Sequence, residues 1–287
     1  MAWQLTEDLD TFLTTAGGFL RARPAANTIM LTATEQLRAK GAAAYGDVTP
    51  VFGWLASSDG SVAGAFMHTP PFPVVLTDMT GAAAAELAMG LAAKGHQAPG
   101  VNATPGPGAA FAAAWQEHTG QSARPGMRMR LYALGTLLPP DPPPPGTART
   151  ADATDRDLLL AWLDAFQDEA QPAGPNESER VVNDRVGWGG LVLWEHEGRP
   201  VSLAGRNRAA AGQARVGPVY TPPDLRGRGF GGAATAAITQ AALDDGADGV
   251  VLFTDLDNPT SNTLYQRLGY RAISDWAVIR FATPGQG

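Results

Sequence analysis

Nine residues constrain this chain more than any others, Leu138-Pro-Pro-Asp-Pro-Pro-Pro-Pro-Gly146. Each proline removes a backbone donor and fixes φ near about −65°, so neither a helix nor a sheet ladder continues through the run. A Pro-rich ligand for a partner domain is one reading. The position between two patterned halves favours a linker, with folded domains over 1–138 and 147–287 and the linker at 139–146. A chain of 287 residues can hold two modest cores.

The second half opens with a helical pattern over 155–169, with Leu158, Leu159, Trp162, Leu163 and Phe166 on one face. Residues 191–195 and 200–206 flank a His-Glu-Gly turn and read as a hairpin. A strand is predicted over 214–221, a helix over 231–245 stopped at Gly246, and a wholly apolar strand over 250–254 of the kind buried on both faces. A helix over 259–268 and a strand over 274–281 complete it.

The first half has a comparable order. Strands at 51–56 and 62–68 flank Asp59-Gly60, a strong hairpin signal. A strand follows at 74–79, then a helix at 81–93, a short strand at 100–103, a helix at 108–118 ending at Gly120, and a long strand at 127–137. The matching order suggests an internal duplication.

Several function classes are excluded. There is no cysteine, so disulfides, thiolate catalysis and cysteine-ligated zinc drop out. A net charge of −7 argues against a nucleic-acid partner. The start, MAWQLTEDLDTFL, carries acids where a secretory signal needs basic residues, and no apolar run approaches the ~20 residues that span a bilayer. A cytoplasmic protein without a membrane partner is expected. His68, His96, His118 and His196 are scattered without metal-ligand spacing, and each is expected at an exposed or turn position. No metal is expected, and no G-x-S-x-G elbow supports serine hydrolysis.

The chemistry concentrates in Val216-Gly-Pro-Val-Tyr-Thr-Pro-Pro-Asp-Leu-Arg-Gly-Arg-Gly-Phe-Gly-Gly232. A strand runs into a loop that opens directly onto a helix, and Arg226, Gly229 and Gly231 have the spacing R-x-x-G-x-G. Glycines there let backbone N–H groups approach a ligand, and the helix start adds roughly half a positive charge, which suits a pyrophosphate. Neither the dinucleotide-binding spacing nor a Gly-Lys-Ser/Thr phosphate loop fits.

This segment resembles the acetyl-CoA-binding signature of the GNAT superfamily of N-acetyltransferases. The likeness continues through the buried strand 250–254, Asn258, Tyr265 and Gly269-Tyr270, and extends less sharply over about 148–282. The resemblance implies two α/β domains, each a mixed, mostly antiparallel sheet flanked by helices, with acetyl-CoA as cosubstrate and a small-molecule or peptide amine as acceptor. It implies that the main chain of Val219, Tyr220 and Thr221 pairs with the pantetheine arm, and that the loop Arg226, Gly227, Arg228, Gly229, Phe230, Gly231 holds the pyrophosphate. Asn258 and Ser261 would lie beside the pantetheine, with Asn258 equally well explained as a helix cap. Tyr265 would be the general acid toward the departing thiolate. Of the nearby carboxylates Glu169, Asp224, Asp255 and Asp257, none is singled out as a base.

The first half lacks the loop, since Thr77-Asp-Met-Thr-Gly-Ala82 has no arginine and one glycine. Registering Gly120 on Gly269 sets Gln116 where Tyr265 stands. The first half is therefore expected to be a degenerate domain. A non-catalytic acyl-CoA-binding or regulatory module is the alternative to an enzyme, and a scaffold comes third.

Overall fold

Residues 2–46, 48–170 and 175–282 are described in a computed structural model. In chain order the elements are β1 (Ala2–Thr6), α1 (Leu9–Ala22), α2 (Thr28–Lys40), β2 (Val51–Ala56), β3 (Val62–His68), β4 (Val74–Leu76), α3 (Gly81–Ala93), β5 (Gly100–Ala103), α4 (Pro105–Thr119) and β6 (Ser122–Leu134). They continue as β7 (Thr147–Thr150), α5 (Arg156–Ala170), α6 (Ser178–Arg185), β8 (Leu191–His196), β9 (Arg199–Arg206), β10 (Gln213–Tyr220), α7 (Phe230–Asp244), β11 (Gly249–Asp255), α8 (Pro259–Arg267) and β12 (Tyr270–Ala282). The fold is mixed α/β with mostly antiparallel sheet; β4–β5 and β10–β11 run parallel.

Two compact units share these elements unequally. Unit 1 comprises 1–130, 255–257 and 274–287, and unit 2 comprises 131–254 and 258–273. Strands β6 and β12 therefore each divide between the units, and the proline run lies inside unit 2 rather than at the compactness boundary. The strand order in unit 1 is β1-β2-β3-β4-β5-β12-β6, and in unit 2 it is β6-β11-β10-β9-β8-β7.

In unit 1 the hairpin predicted around Asp59-Gly60 forms with Val51 opposite His68. Alanine-rich α3 and α4 have high helix propensity and small side chains, so they approach closely; a Cβ on Gly81 would lie 3.2 Å from Ala110. Under them Phe66, Leu76, Leu87, Val101, Phe111 and Trp115 are buried. Residues 277–280 of β12 pair antiparallel with β5, and Phe281 stacks on Trp115 with ring centroids 5.4 Å apart. Helices α1 and α2, on which no sequence expectation was placed, bury Phe12, Leu20, Met30 and Leu37, and Phe12 stacks on Phe52 at 5.1 Å.

His68 departs from expectation. It is 1 % exposed, its Nδ1 lies 2.6 Å from His96 Nε2, and its Nε2 is buried without a partner. A 28-residue separation hid the pair from any spacing rule. Burial first, and the His96 ring second, push the His68 imidazole down from 6.5 to about 4. The unfolded chain takes up this proton at the higher pH and the folded chain only at the lower one. The stabilisation is therefore complete above pH 6.5 and drains away as pH falls toward 4, by about 3 kcal/mol in all. Urea unfolding at pH 7 and pH 4.5 should show that loss, and His68→Phe should flatten it; an unchanged slope in the variant would assign the acid sensitivity elsewhere.

In unit 2 the sheet is covered on one face by α5 and α6, through Leu159, Leu163, Val181, Leu191, Leu193 and Leu203. On the other face α7 and α8 pack through Ala234, Ile238, Tyr265 and Leu268 onto Val216, Val250 and Leu252. Strand β11 is apolar on both faces as expected, with Val250, Val251 and Leu252 each no more than 1 % exposed. The chain leaving β6 hydrogen-bonds to the end of α8, Gly135 N to Gly269 O and Leu138 N to Leu268 O, both at 3.0 Å. Gly269 has φ +94°, and a Cβ there would meet Thr136 O at 1.9 Å, so only glycine fits.

Candidate active site

The site is assembled around the end of β10. Its parallel register with β11 runs from Gln213↔Gly249 to Val216↔Leu252 and no further. Between Val216 and Val219 a bulge shifts its register with β9. Beyond the bulge Val219 pairs with Ala204 and Tyr220 with Leu203, and Ser202 Oγ donates to Tyr220 O at 3.0 Å while contacting Thr221 Oγ1 at 2.9 Å. The main chain of Val219, Tyr220 and Thr221 is thus held on its β9 side and has no register with β11 on the other. An edge of this kind offers main-chain donors and acceptors to an extended, amide-containing ligand.

The loop then turns into α7. Gly227 has φ +76° and Gly229 φ +85°. Gly229 is the N-cap of α7 and supplies no side-chain acceptor. The N–H groups of the first turn, on Phe230, Gly231 and Gly232, consequently have no intrahelical or capping partner. A Cβ on Gly231 would lie 3.1 Å from Thr221 Oγ1, so bare backbone is what this corner accommodates. In unit 1 the start of α3 is closed, because Thr80 Oγ1 accepts from Ala83 N at 3.2 Å and caps the helix.

The two arginines of the loop differ. Arg226 Nε donates to Thr221 O at 2.9 Å, and its Nη2 holds both Glu169 oxygens at 2.7 and 2.9 Å. Arg226 therefore braces the loop against α5. Arg228 is exposed and lies over the Phe230 ring at 5.0 Å.

Helix α8 supplies the remaining residues. Asn258 Oδ1 accepts from Ser261 N at 3.0 Å, which is the capping role foreseen for it. A Cβ on Gly232 would come within 2.9 Å of Leu264 Cδ1, so α8 lies directly against the first turn of α7. Tyr265 is the buried residue of α8, 8 % exposed, and among the described residues its hydroxyl has no hydrogen-bond partner. Burial pushes its phenol up to about 12, so it remains a neutral donor at physiological pH.

The structure thus brings the predicted residues together on three neighbouring segments of unit 2. Among the carboxylates, Glu169 is occupied by Arg226 and Asp257 pairs with Arg128 in unit 1 at 2.7 Å. Sequence reasoning missed three things. Pro144 and Pro140 approach the start of α7, at 3.4 Å from a Cβ on Gly229 and 3.7 Å from one on Gly232. Arg185 donates to the Gly217 carbonyl at the bulge and, at 2.6 Å, to Asn207 Oδ1. Tyr132 reaches α8 from β6. Each acts across a sequence gap that leaves no local trace. Among the described residues no group of three or more metal-ligating side chains occurs, and no helix is long and apolar enough to cross a membrane.

Residues 153–270 match the profile of the Acetyltransferase (GNAT) family. The matched segment contains β10, the loop, α7 and α8. A mycothiol acetyltransferase of Kytococcus sedentarius is 29% identical over 159 residues, 51% of this chain and 53% of that one. A second, of Arthrobacter sp., is 40% identical over 62 residues, 21% of this chain and 19% of that one. The chain thus matches about half the length of the first curated relative and a fifth of the second. Among solved structures, a GCN5-related N-acetyltransferase from Sphaerobacter thermophilus superposes with a TM-score of 0.63 at 18% identity, covering 99% of this chain and 96% of that one. A GNAT acetyltransferase from Colwellia psychrerythraea gives 0.56 at 11%, covering 98% and 99%. At such identities the likeness is one of fold.

Proposed function

We propose that this protein is an acetyl-CoA-dependent N-acetyltransferase acting on a primary amine in the cytoplasm, with its chemistry in unit 2. One observation carries the reading. An uncapped helix start and an open strand edge are joined by one loop, Tyr265 packs in the same core cluster as β10 and α7, and each suits a different part of acetyl-CoA. The α7 N–H groups match the pyrophosphate, with Arg228 adding charge. The edge of Val219, Tyr220 and Thr221 matches the pantetheine amides, with Asn258 and Ser261 at its flank.

Acetyl-CoA supplies an activated thioester. Tyr265 then donates a hydrogen bond to the sulfur that becomes anionic as the amine attacks. A phenol near 12 is a weaker acid than a free thiol near about 8.5, so complete transfer is uphill by roughly 5 kcal/mol in the resting site. Tyr265 is therefore a hydrogen-bond donor to the developing thiolate, and the proton that the departing thiol gains is the one the amine nitrogen loses as the amide forms.

The first half, over 1–138, is read as a degenerate counterpart that does not bind CoA. Thr80 already satisfies the start of α3, and Gln116, in the register of Tyr265, is exposed. The test is CoA release from acetyl-CoA across a panel of amino acids, polyamines, aminoglycosides, peptide N-termini and the acceptor of the mycothiol acetyltransferases. Release with at least one amine is expected. Tight acetyl-CoA binding with no release across the panel would select a non-catalytic acyl-CoA-binding module, a reading that the Arg226–Glu169 brace also permits.

A further inference from the structure

Helix α8 is nine residues long, two and a half turns, too short to hold its own orientation in water. Something outside it must fix how far it is rotated. Its N-terminus is set by Asn258 and its far end by the bonds from Gly135 and Leu138, but caps fix ends and leave rotation to the face between them.

To the apolar packing of Leu264, Tyr265 and Leu268, Tyr132 adds a directional constraint on that face. It is fully buried in the same cluster as Tyr265, Leu268 and Tyr270. Its hydroxyl lies 2.9 Å from Asn262 Oδ1, to which it donates, and accepts from Gln266 Nε2 at 3.3 Å. Asn262 and Gln266 are four residues apart and share a face of α8. Asn262 Nδ2 in turn donates to Asn258 O at 2.8 Å. One phenol on β6 is therefore bonded to two successive turns of the helix and, through Asn262, to its cap.

We propose that Tyr132 is a positioning residue for Tyr265, setting the rotation of α8 and with it the place of the donor phenol. This rests on the reading of Tyr265 given above. A tyrosine oxygen stands roughly 9 Å from its helix axis, so a 10° rotation displaces it by about 1.5 Å. Misplacement on that scale costs up to about 10²-fold in rate. Tyr132 never meets the substrate in this account; it acts through α8.

The experiment is a double-mutant cycle between Tyr132→Phe and Tyr265→Phe, read as kcat, with hydrogen exchange on the same full-length proteins. Tyr132→Phe keeps the ring and removes only the hydroxyl. It should lower kcat about 10-fold, leave acetyl-CoA affinity within about 3-fold, and cause no further loss in a Tyr265→Phe background. Exchange should accelerate across 259–268 and stay unchanged across 230–244. Gln266→Ala, at an exposed position that cannot unfold the core, should move both readouts the same way by less. Losses that multiply, or an unaltered kcat, overturn the proposal. Exchange needs no turnover, so if no amine is acetylated, unaltered protection of 259–268 still overturns it, and the two failures are told apart.

Discussion

Gly229→Asp should weaken acetyl-CoA binding at least 10²-fold while leaving the thermal midpoint close to that of the parent. The effect arises from charge and geometry together. Gly229 is the N-cap of α7 with φ +85°, and behind it the first-turn N–H groups have no capping side chain. A carboxylate introduced there competes for those donors as N-cap aspartates do, and it faces the incoming pyrophosphate. Two like charges about 4 Å apart at an effective dielectric near 20 repel by roughly 4 kcal/mol, well above the ~2.7 kcal/mol that corresponds to 10²-fold. Stability changes little because opposing effects are of similar size. An aspartate in the left-handed region costs about 1 kcal/mol, and a new cap returns about as much. The new Cβ meets Pro144 at 3.4 Å, an ordinary contact. Calorimetric titration with acetyl-CoA decides it: full affinity in the variant would remove the basis for seating the cofactor on α7.

Tyr265→Phe should lower kcat by about 10²- to 10³-fold, the cost of removing one hydrogen-bond donor to a developing anion, with acetyl-CoA affinity changed by less than about 3-fold. The unusual part is stability. A buried tyrosine normally leaves an orphaned partner when its hydroxyl is removed. Among the described residues Tyr265 has no hydrogen-bond partner to orphan, so the variant should unfold at the same denaturant midpoint or slightly above it. Since burial holds the phenol near 12, the parent's rate should show no alkaline limb from this residue below about pH 11. Parallel losses of affinity and rate would reduce Tyr265 to a packing residue.

How much of this was legible in the sequence follows from the range of each interaction. The loop over 226–231 could be read because strand end, glycines and helix start are contiguous, and the local backbone alone creates the N–H concavity. The β2–β3 hairpin and the buried β11 were legible for the same reason. Arg226 was placed correctly in the loop, but its attachment to Glu169 spans 57 residues and has no local trace. Tyr132 and Asn262 are separated by 130 residues, and only their fold brings them into contact. The proline run was read as a spacer from its stiffness. Stiffness equally suits a segment laid against other residues, and Pro140, Pro144 and Pro145 do contact their own unit, with Trp194 Nε1 donating to Pro145 O at 3.1 Å. Helix α6 and strand β7 escaped notice because eight- and four-residue elements carry too few periods to register.

The division of β12 has a consequence for synthesis. Strand β5 pairs with β4 on one side and with residues 277–280 of β12 on the other. When residue 103 emerges from a ribosome, its second neighbour lies 174 residues downstream. At elongation rates of about 5–20 residues per second that delay is roughly 10 to 35 s. Throughout it β5 presents an unpaired edge, and Trp115 lacks Phe281 above it. The N-terminal-first order by which many multidomain chains mature is therefore closed to this one. Unit 1 begins first and is completed only once residues 274–282 have been made, after the whole of unit 2.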